Sequence, residues 1–185
     1  MGRLSGKVAL ISGGSRGQGE AEAKLFSSEG AKVVLGDILD SEGLVVTSDI
    51  NESGGEALYV HLDVTSKDDW GSAVKQTLEN FGGLDILVNN AGLGQSVVPI
   101  IDLPLDEFQR VLKVNLMGTF LCLKTIGRKM ALRESGKVVN LSSLNGVSPA
   151  ALVAAYNVAK AGVISLSQTM ALELAPYGVR VNAVE

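Results

Sequence analysis

The sequence predicts an α/β protein of the doubly wound kind, in which a parallel sheet is covered by helices on both faces in three layers. Two observations predict it. Six short runs rich in Val, Ile and Leu recur along the 185 residues, and they are almost continuously apolar, as strands buried on both faces must be. Between most of these runs lie segments of helical length, and strand alternating with helix is the order that builds a parallel sheet.

The first run, 7–12 (KVALIS), passes through a glycine-rich turn into a helix over about 17–29. A second strand at 32–36 (KVVLG) is followed by the weakest helix, about 41–54, because its LVVTSD stretch is β-branched and its acidic and glycine residues favour turns. Strand 57–62 (ALYVHL) precedes a helix at about 67–81, on which Trp70 reads as an aromatic anchor; His61 on that strand reads as a core or edge residue. Strand 84–89 (LDILVN) leads to a long helix over 105–133, strand 137–142 (KVVNLS) to a helix over 151–175, and a last strand fills 179–184 (VRVNAV). In 105–133, residues such as Leu105, Phe108, Leu112, Leu116, Phe120 and Ile126 spread around most of the circumference. More than one face therefore needs cover, and a homo-oligomer, dimer or tetramer, built through 105–133 and 151–175 is expected.

Composition sets limits. Residues are 46% hydrophobic, 19% charged and only 4% aromatic, which describes a compact chain with an aliphatic interior. The net charge is −4 and the 16 basic residues are scattered, so nucleic acid is not expected as a partner. Cys122 is the single cysteine and His61 the single histidine; no internal disulfide and no metal site are expected, and Cys122 reads as a buried structural thiol. VALISGG is too short to cross a bilayer, and Gly6 stands where a myristoylation signal needs Ser or Thr. No membrane association is expected, and the cytoplasm is the expected compartment.

Chemistry concentrates at the strand ends. After the first strand, SGGSRGQGEAEAK sets Gly13, Gly17 and Gly19 where strand becomes helix, a placement that lets backbone approach a pyrophosphate and offers it the helix N-terminus. Ser15, Arg16 and Gln18 fill the same turn. No GK[ST] follows, which removes a P-loop nucleotidase. Asp37 ends the second strand, eighteen residues beyond Gly19, where a carboxylate accepts from the adenosine ribose hydroxyls and repels a 2′-phosphate. NAD is therefore favoured over NADP, with Arg16 arguing mildly the other way. Asp63 and Val64 are placed for the adenine, although a helix-capping Asp explains Asp63 nearly as well.

In AAYNVAKAG, Tyr156 and Lys160 stand one helical turn apart and share a face. Moving a proton on and off an alcohol as hydride transfers requires an acid–base group, and a phenol with a pKa of about 10 needs a neighbouring cation to serve near neutrality. Ser143 ends the fifth strand, at the edge where open α/β sheets bind ligands, and is placed to hydrogen-bond the reacting oxygen. It is no hydrolase nucleophile: no GxSxG elbow surrounds it, and His61 is the only histidine. Ser142 reads as a strand-end hydrogen-bonder.

Taken in order, the glycine turn at 13–19, NNAG at 89–92, Asn115 in VNLMGT, Ser143 in NLSSLNG, YNVAK at 156–160 and VRVNAV resemble the short-chain dehydrogenase/reductase family over essentially the whole chain. The N-terminal half is similar to NAD-dependent hydroxysteroid dehydrogenases. The resemblance implies a single Rossmann-type NAD(P)-binding domain over 1–185 and hydride transfer between NAD(H) and a secondary alcohol or ketone. It implies a catalytic set of Asn115, Ser143, Tyr156 and Lys160, with Lys160 also holding the nicotinamide ribose and Asn115 in a water relay toward it. Asn90, Ala91 and Gly92 would pass the adenosine side of the cofactor, while Ser143 and Tyr156 would touch substrate. Leu93–Pro99 and Leu144–Val153 flank that site and are mostly apolar, so a hydrophobic, steroid-like substrate is expected. Gln18 and Ser12 depart from the family's usual aliphatic residue and threonine, and Gln18 is expected to loosen the turn. The family continues past the sixth strand with a seventh strand and a substrate loop; a chain lacking them is expected to be impaired, an NAD-binding module with little turnover.

Overall fold

The computed structural model describes residues 2–185. Six strands form one sheet: β1 (Val8–Ser12), β2 (Lys32–Asp37), β3 (Glu56–His61), β4 (Ile86–Asn89), β5 (Gly136–Leu141) and β6 (Val179–Val184). Every pairing is parallel, in the order β3-β2-β1-β4-β5-β6. The chain therefore runs outward in one direction from β1 to β3, then returns to the other side of β1 with β4. Where the two halves diverge, between β1 and β4, the connections leave a crevice at the carboxyl edge of the sheet. Helices α1 (Gly17–Ser28), α2 (Asp40–Glu52), α3 (Lys67–Phe81), α4 (Leu105–Leu112), α5 (Gly118–Leu132) and α6 (Ala154–Leu174) connect the strands. The Rossmann-type doubly wound architecture expected from the sequence is the one observed.

Two apolar layers sandwich the sheet, as the unbroken strand patterns require. Leu10, Val34, Leu87 and Val138 point to one side, against Trp70, Cys122, Ile126 and Met130 of α3 and α5. Ala9, Ile11, Val33 and Leu35 point to the other, against Ala23, Val46 and Ile50 of α1 and α2. Trp70 is fully buried and donates from Nε1 to the Val64 carbonyl at 3.0 Å, which anchors α3 as expected. Cys122 is buried, and desolvation pushes its thiol well above the ordinary value. His61 lies on the edge strand with its side chain 55% exposed, so it is an edge residue and no part of the core.

Most boundaries differ from the sequence reading by one or two residues, and three places stand out. β4 starts at Ile86; Asp85 just before it still bonds β1 and β5 through its backbone, and its carboxylate also caps the start of β1, accepting from Val8 N at 2.9 Å. α6 starts at Ala154, because Leu152 adopts a left-handed φ of 68° that no helix interior accommodates. The expected helix over 105–133 is interrupted by a π-turn at Lys113–Met117, in which Gly118 N bonds the Lys113 carbonyl five residues back. One extra residue in a turn offsets the faces before and after it by about 100°. That offset contributes to the wide spread of apolar positions, although Leu105, Met117 and Phe120 do remain exposed.

A buried polar chain links the second half of the sheet to α6. Asn89 Nδ2 donates to Asn140 Oδ1 at 2.7 Å, Asn140 Nδ2 donates to Ser167 Oγ at 2.8 Å, and Ser167 Oγ donates to the Val163 carbonyl at 2.7 Å. Replacing Asn140 with Ala strands one buried donor on Asn89 and one acceptor on Ser167. Unfolding in urea is expected to show Asn140→Ala destabilised by about 2–4 kcal/mol, the cost of leaving two such groups unpaired.

Candidate active site

The crevice at the β1–β4 divergence holds two adjoining clefts that share Asn90, Gly92 and Leu93. One, of about 520 Å³, runs from Asp37, Ile38 and Leu39 past Asp63 and Val64 to Gly13, Arg16 and Gly17. The other, of about 700 Å³, is walled by Ser143, Tyr156, Lys160, Gln18, Gln95, Leu144 and Val153. The strand-end residues singled out in the sequence thus meet along one edge.

The floor of the first cleft is the glycine turn, locked onto the loop after β4. Asn90 Nδ2 donates to the Ser12 and Gly13 carbonyls at 3.1 and 3.0 Å, and Ala91 N donates to Ser12 Oγ at 3.2 Å. Gly19 packs so closely under this turn that a β-carbon there would run into the Gly13 carbonyl and the Asn90 amide. Gln18 does not loosen the turn: it is exposed on the cleft side, where Nε2 donates to Glu22 at 3.1 Å, and Gly19 rather than Gln18 faces the packed interior. Ser15 contributes its backbone N–H, which donates to Asp37 Oδ2 at 3.0 Å, while its hydroxyl lies beneath the turn near Gly43 and lines neither cleft. Asp37 is 9% exposed, and its other oxygen accepts from Ile38 N and Leu39 N at 2.8 and 3.2 Å. Three backbone donors therefore fix the carboxylate at the cleft wall, with lone-pair capacity left on Oδ2. Asp63 Oδ1 accepts from Thr65 N at 2.8 Å in the turn before α3, whose N-cap is Ser66 rather than Asp63, and the residue lines the cleft.

The second cleft is organised by α6. Lys160 is only 6% exposed, and its Nζ donates to the Leu141 carbonyl at the end of β5 at 2.7 Å. The same ammonium lies 5.5 Å from the centre of the Tyr156 ring. Desolvation lowers Lys160 to about 8, so near neutrality it is still mostly charged. Ser142 Oγ donates to the Lys160 carbonyl at 3.0 Å, the strand-end role read from the sequence. Ser143 Oγ accepts from Asn145 N at 3.2 Å, which leaves its hydrogen to donate into the cleft. Asn115, at the π-turn, is buried and clamps Leu93 in both directions, accepting from Leu93 N and donating to its carbonyl, each at 2.8 Å. It holds the loop between the two clefts, and no hydrogen bond joins it to Lys160 among the described residues.

Gln95 was not legible as a functional residue. α6 has Val153 at its N-cap position, with no side-chain bond to spare for the helix. Gln95 Oε1 instead accepts from the backbone N–H of Tyr156 at 2.9 Å, a capping bond supplied from 61 residues away. Capping signatures are searched among neighbouring residues, so a loop Gln gives no such signal.

Residues 7–185 match the family model described as short chain dehydrogenase. The chain belongs to the short-chain dehydrogenase family. It is 44% identical over 183 residues to a 3-alpha-(or 20-beta)-hydroxysteroid dehydrogenase of Mycobacterium bovis, covering 99% of this chain and 69% of that protein. It is 40% identical to a trans-4-hydroxycyclohexanecarboxylate dehydrogenase of Sinomonas cyclohexanicum, covering 98% of this chain and 72% of that protein. Among solved structures, an NAD+-bound xylitol dehydrogenase superposes with a TM-score of 0.95 at 37% identity, covering 98% of this chain and 70% of the other. As a short-chain dehydrogenase, the protein is an oxidoreductase acting on CH–OH or C=O groups, in a family that uses NAD(P). No helix among the described residues is long and apolar enough to cross a membrane.

The lysine depression carries a stability signature. A base whose folded pKa lies below its unfolded value binds fewer protons when folded, so stability rises with pH between the two values. For this short-chain dehydrogenase, denaturation midpoints are expected to climb from about pH 8 toward pH 10 relative to those of Lys160→Met, in which that component is absent.

Proposed function

We propose that this protein transfers hydride between NAD(H) and a hydrophobic secondary alcohol or ketone, with Tyr156 as the general acid–base. The observation that carries the reading is the buried Lys160 ammonium, 5.5 Å from the Tyr156 ring in the cleft that Ser143 lines. The Tyr156 hydroxyl is the acid–base group on this wall that would take the alcohol proton in oxidation and return it in reduction, with the Lys160 ammonium and the Ser143 hydroxyl in the same cleft. Ser143, which lines the cleft and whose hydroxyl proton has no acceptor among the hydrogen bonds of the described residues, would hold the reacting oxygen. Asn115 and Gln95 act at one remove: Asn115 fixes Leu93 on the cleft wall with both sides of its amide and would reach the lysine only through a water relay, and Gln95 fixes the first turn of α6.

The donor set fits a dinucleotide. The first cleft has a carboxylate at one end and a glycine turn with the α1 N-terminus in the middle, and the Lys160 ammonium stands in the adjoining one. Asp37 would accept from the adenosine ribose; the α1 N-terminus would receive the phosphates through the backbone N–H groups of Gly17, Gln18 and Gly19, because those of Gly13 and Ser15 already bond Gly36 and Asp37; Lys160 would hold the second ribose. Bound there, the dinucleotide supplies a hydride acceptor or donor beside Tyr156. Asp37 supports NAD over NADP, because its carboxylate occupies the cleft wall while Arg16 stands exposed at the rim. Leu93, Leu144 and Val153 support a hydrophobic substrate, as does the hydroxysteroid named for the Mycobacterium bovis relative. The exposed apolar residues Leu105, Met117 and Phe120, with Val158 and Leu172 on α6, support assembly into a homo-oligomer. A single buried thiol suits a reducing compartment such as the cytoplasm.

Tyr156→Phe is expected to abolish turnover of hydroxysteroids while leaving the Kd for NADH within about twofold, since the variant keeps the ring and loses only the hydroxyl; turnover retained in the variant places the base elsewhere. Asp37→Ala is expected to shift the NAD-to-NADP ratio of kcat/KM toward NADP by about tenfold or more, as removal of a repulsive carboxylate requires; an unchanged ratio assigns cofactor choice to Arg16.

A further inference from the structure

Three polar residues outside the clefts converge on the turn that carries Asp37. Tyr59, on β3, places its hydroxyl 2.6 Å from the Asp37 backbone carbonyl and also 2.6 Å from Asp40 Oδ1. His61, two residues further along the same strand, places Nδ1 2.7 Å from that same Asp40 oxygen. The ring of Tyr59 is held by packing against Gly43 of α2, where no β-carbon would fit. Resting on the reading of the first cleft as the dinucleotide site, we propose that Tyr59, Asp40 and His61 form a pH-linked brace that positions the Asp37 turn and so sets dinucleotide affinity and the preference for NAD.

A phenol carries one proton and faces two acceptors here. An ionised Asp40 without a cationic partner is the stronger acceptor, because hydrogen bonds to charged groups outcompete those to neutral carbonyls. The proton then leaves the Asp37 carbonyl, and two oxygens remain in close contact with no hydrogen between them. An imidazolium at His61 donates to Asp40, offsets its charge and releases the Tyr59 proton to the carbonyl. The Asp37 carboxylate, Ile38 and Leu39 belong to the same turn and line the cleft, so the brace acts on the residues that meet the adenosine half of the cofactor.

The surrounding charges favour the imidazolium. Asp40, from the start of α2, raises His61 through its hydrogen bond, and Asp63 and Asp69, from the β3–α3 connection and α3, add to this. Tyr59 is raised by burial first and then by Asp40, with Asp37 and Glu42 contributing, so it remains a phenol across the range of His61. Asp40 is held below the usual carboxylate range by its bonds from Tyr59 and His61. With its value raised by Asp40, His61 supports the brace on the acid side of its titration and withdraws that support as pH rises through it.

The test is NADH and NADPH binding, read by nicotinamide fluorescence from pH 6 to 9, in the wild-type chain, Tyr59→Phe and His61→Gln. In wild type the Kd for NADH is expected to rise about three- to tenfold across the His61 titration, the worth of one hydrogen bond. Tyr59→Phe should start at the weaker value, show no pH dependence and discriminate less between the two cofactors; His61→Gln should also lose the pH dependence. Amide hydrogen exchange of Ile38 and Leu39 in the free protein should quicken in Tyr59→Phe. A pH dependence that survives in Tyr59→Phe is a field effect of His61 and overturns the brace. So do wild-type Kd values together with unchanged exchange in that variant. A wild-type chain that binds neither dinucleotide overturns the cofactor reading and the brace with it, whereas normal wild-type binding with unaltered variants overturns the brace alone.

Discussion

The structure turns on an ammonium kept inside a wall. Burying Lys160 works against its charge, and the cost is offset where Nζ meets the Leu141 carbonyl at 2.7 Å. The Ser142 hydroxyl bonds the carbonyl of Lys160 itself at 3.0 Å, so α6 and the end of β5 are laced by two bonds running in opposite senses. Asn140 and Ser167 add a third tie one layer deeper. With the helix fastened at its middle and its first turn held by Gln95, Tyr156 has little freedom relative to the sheet. The acid–base role proposed for Tyr156 would gain from that rigidity, because misplacement by an ångström is costly in rate.

The crevice is also electrically polarised along its length. Asp37 stands at one end, the α1 N-terminus in the middle and Lys160 at the other. This order of partners is complementary to an elongated molecule with hydroxyls at its ends and anionic groups between them. The arrangement follows from topology: parallel strands bring all their carboxyl ends to one edge, and the divergence at β1 and β4 separates the helices that would otherwise close over it.

Much of this was legible in the sequence, for identifiable reasons. Strands buried on both faces are continuous apolar runs, and all six were found within two residues of their observed ends. Gly19, Asp37, Ser143, Tyr156 and Lys160 were readable because their chemistry is unusual for the place they hold along the chain. What escaped has no local signature. Gln95 caps a helix 61 residues away, Asn140 meets its partners only through the sheet, and the bond from Gly118 to Lys113 shows in the sequence only as an asparagine in a helix. Gln18 was misjudged because the inward place in that turn belongs to its neighbour Gly19.

Cys122 sits on α5 with no exposed surface, and its thiol resists ionisation. Since only a thiolate that reagents can reach is alkylated at an appreciable rate, the folded molecule is chemically silent toward iodoacetamide or maleimides. Its sulfur becomes labelled only in molecules that have opened, and with one such atom in the chain the labelled fraction counts those openings without a background to subtract.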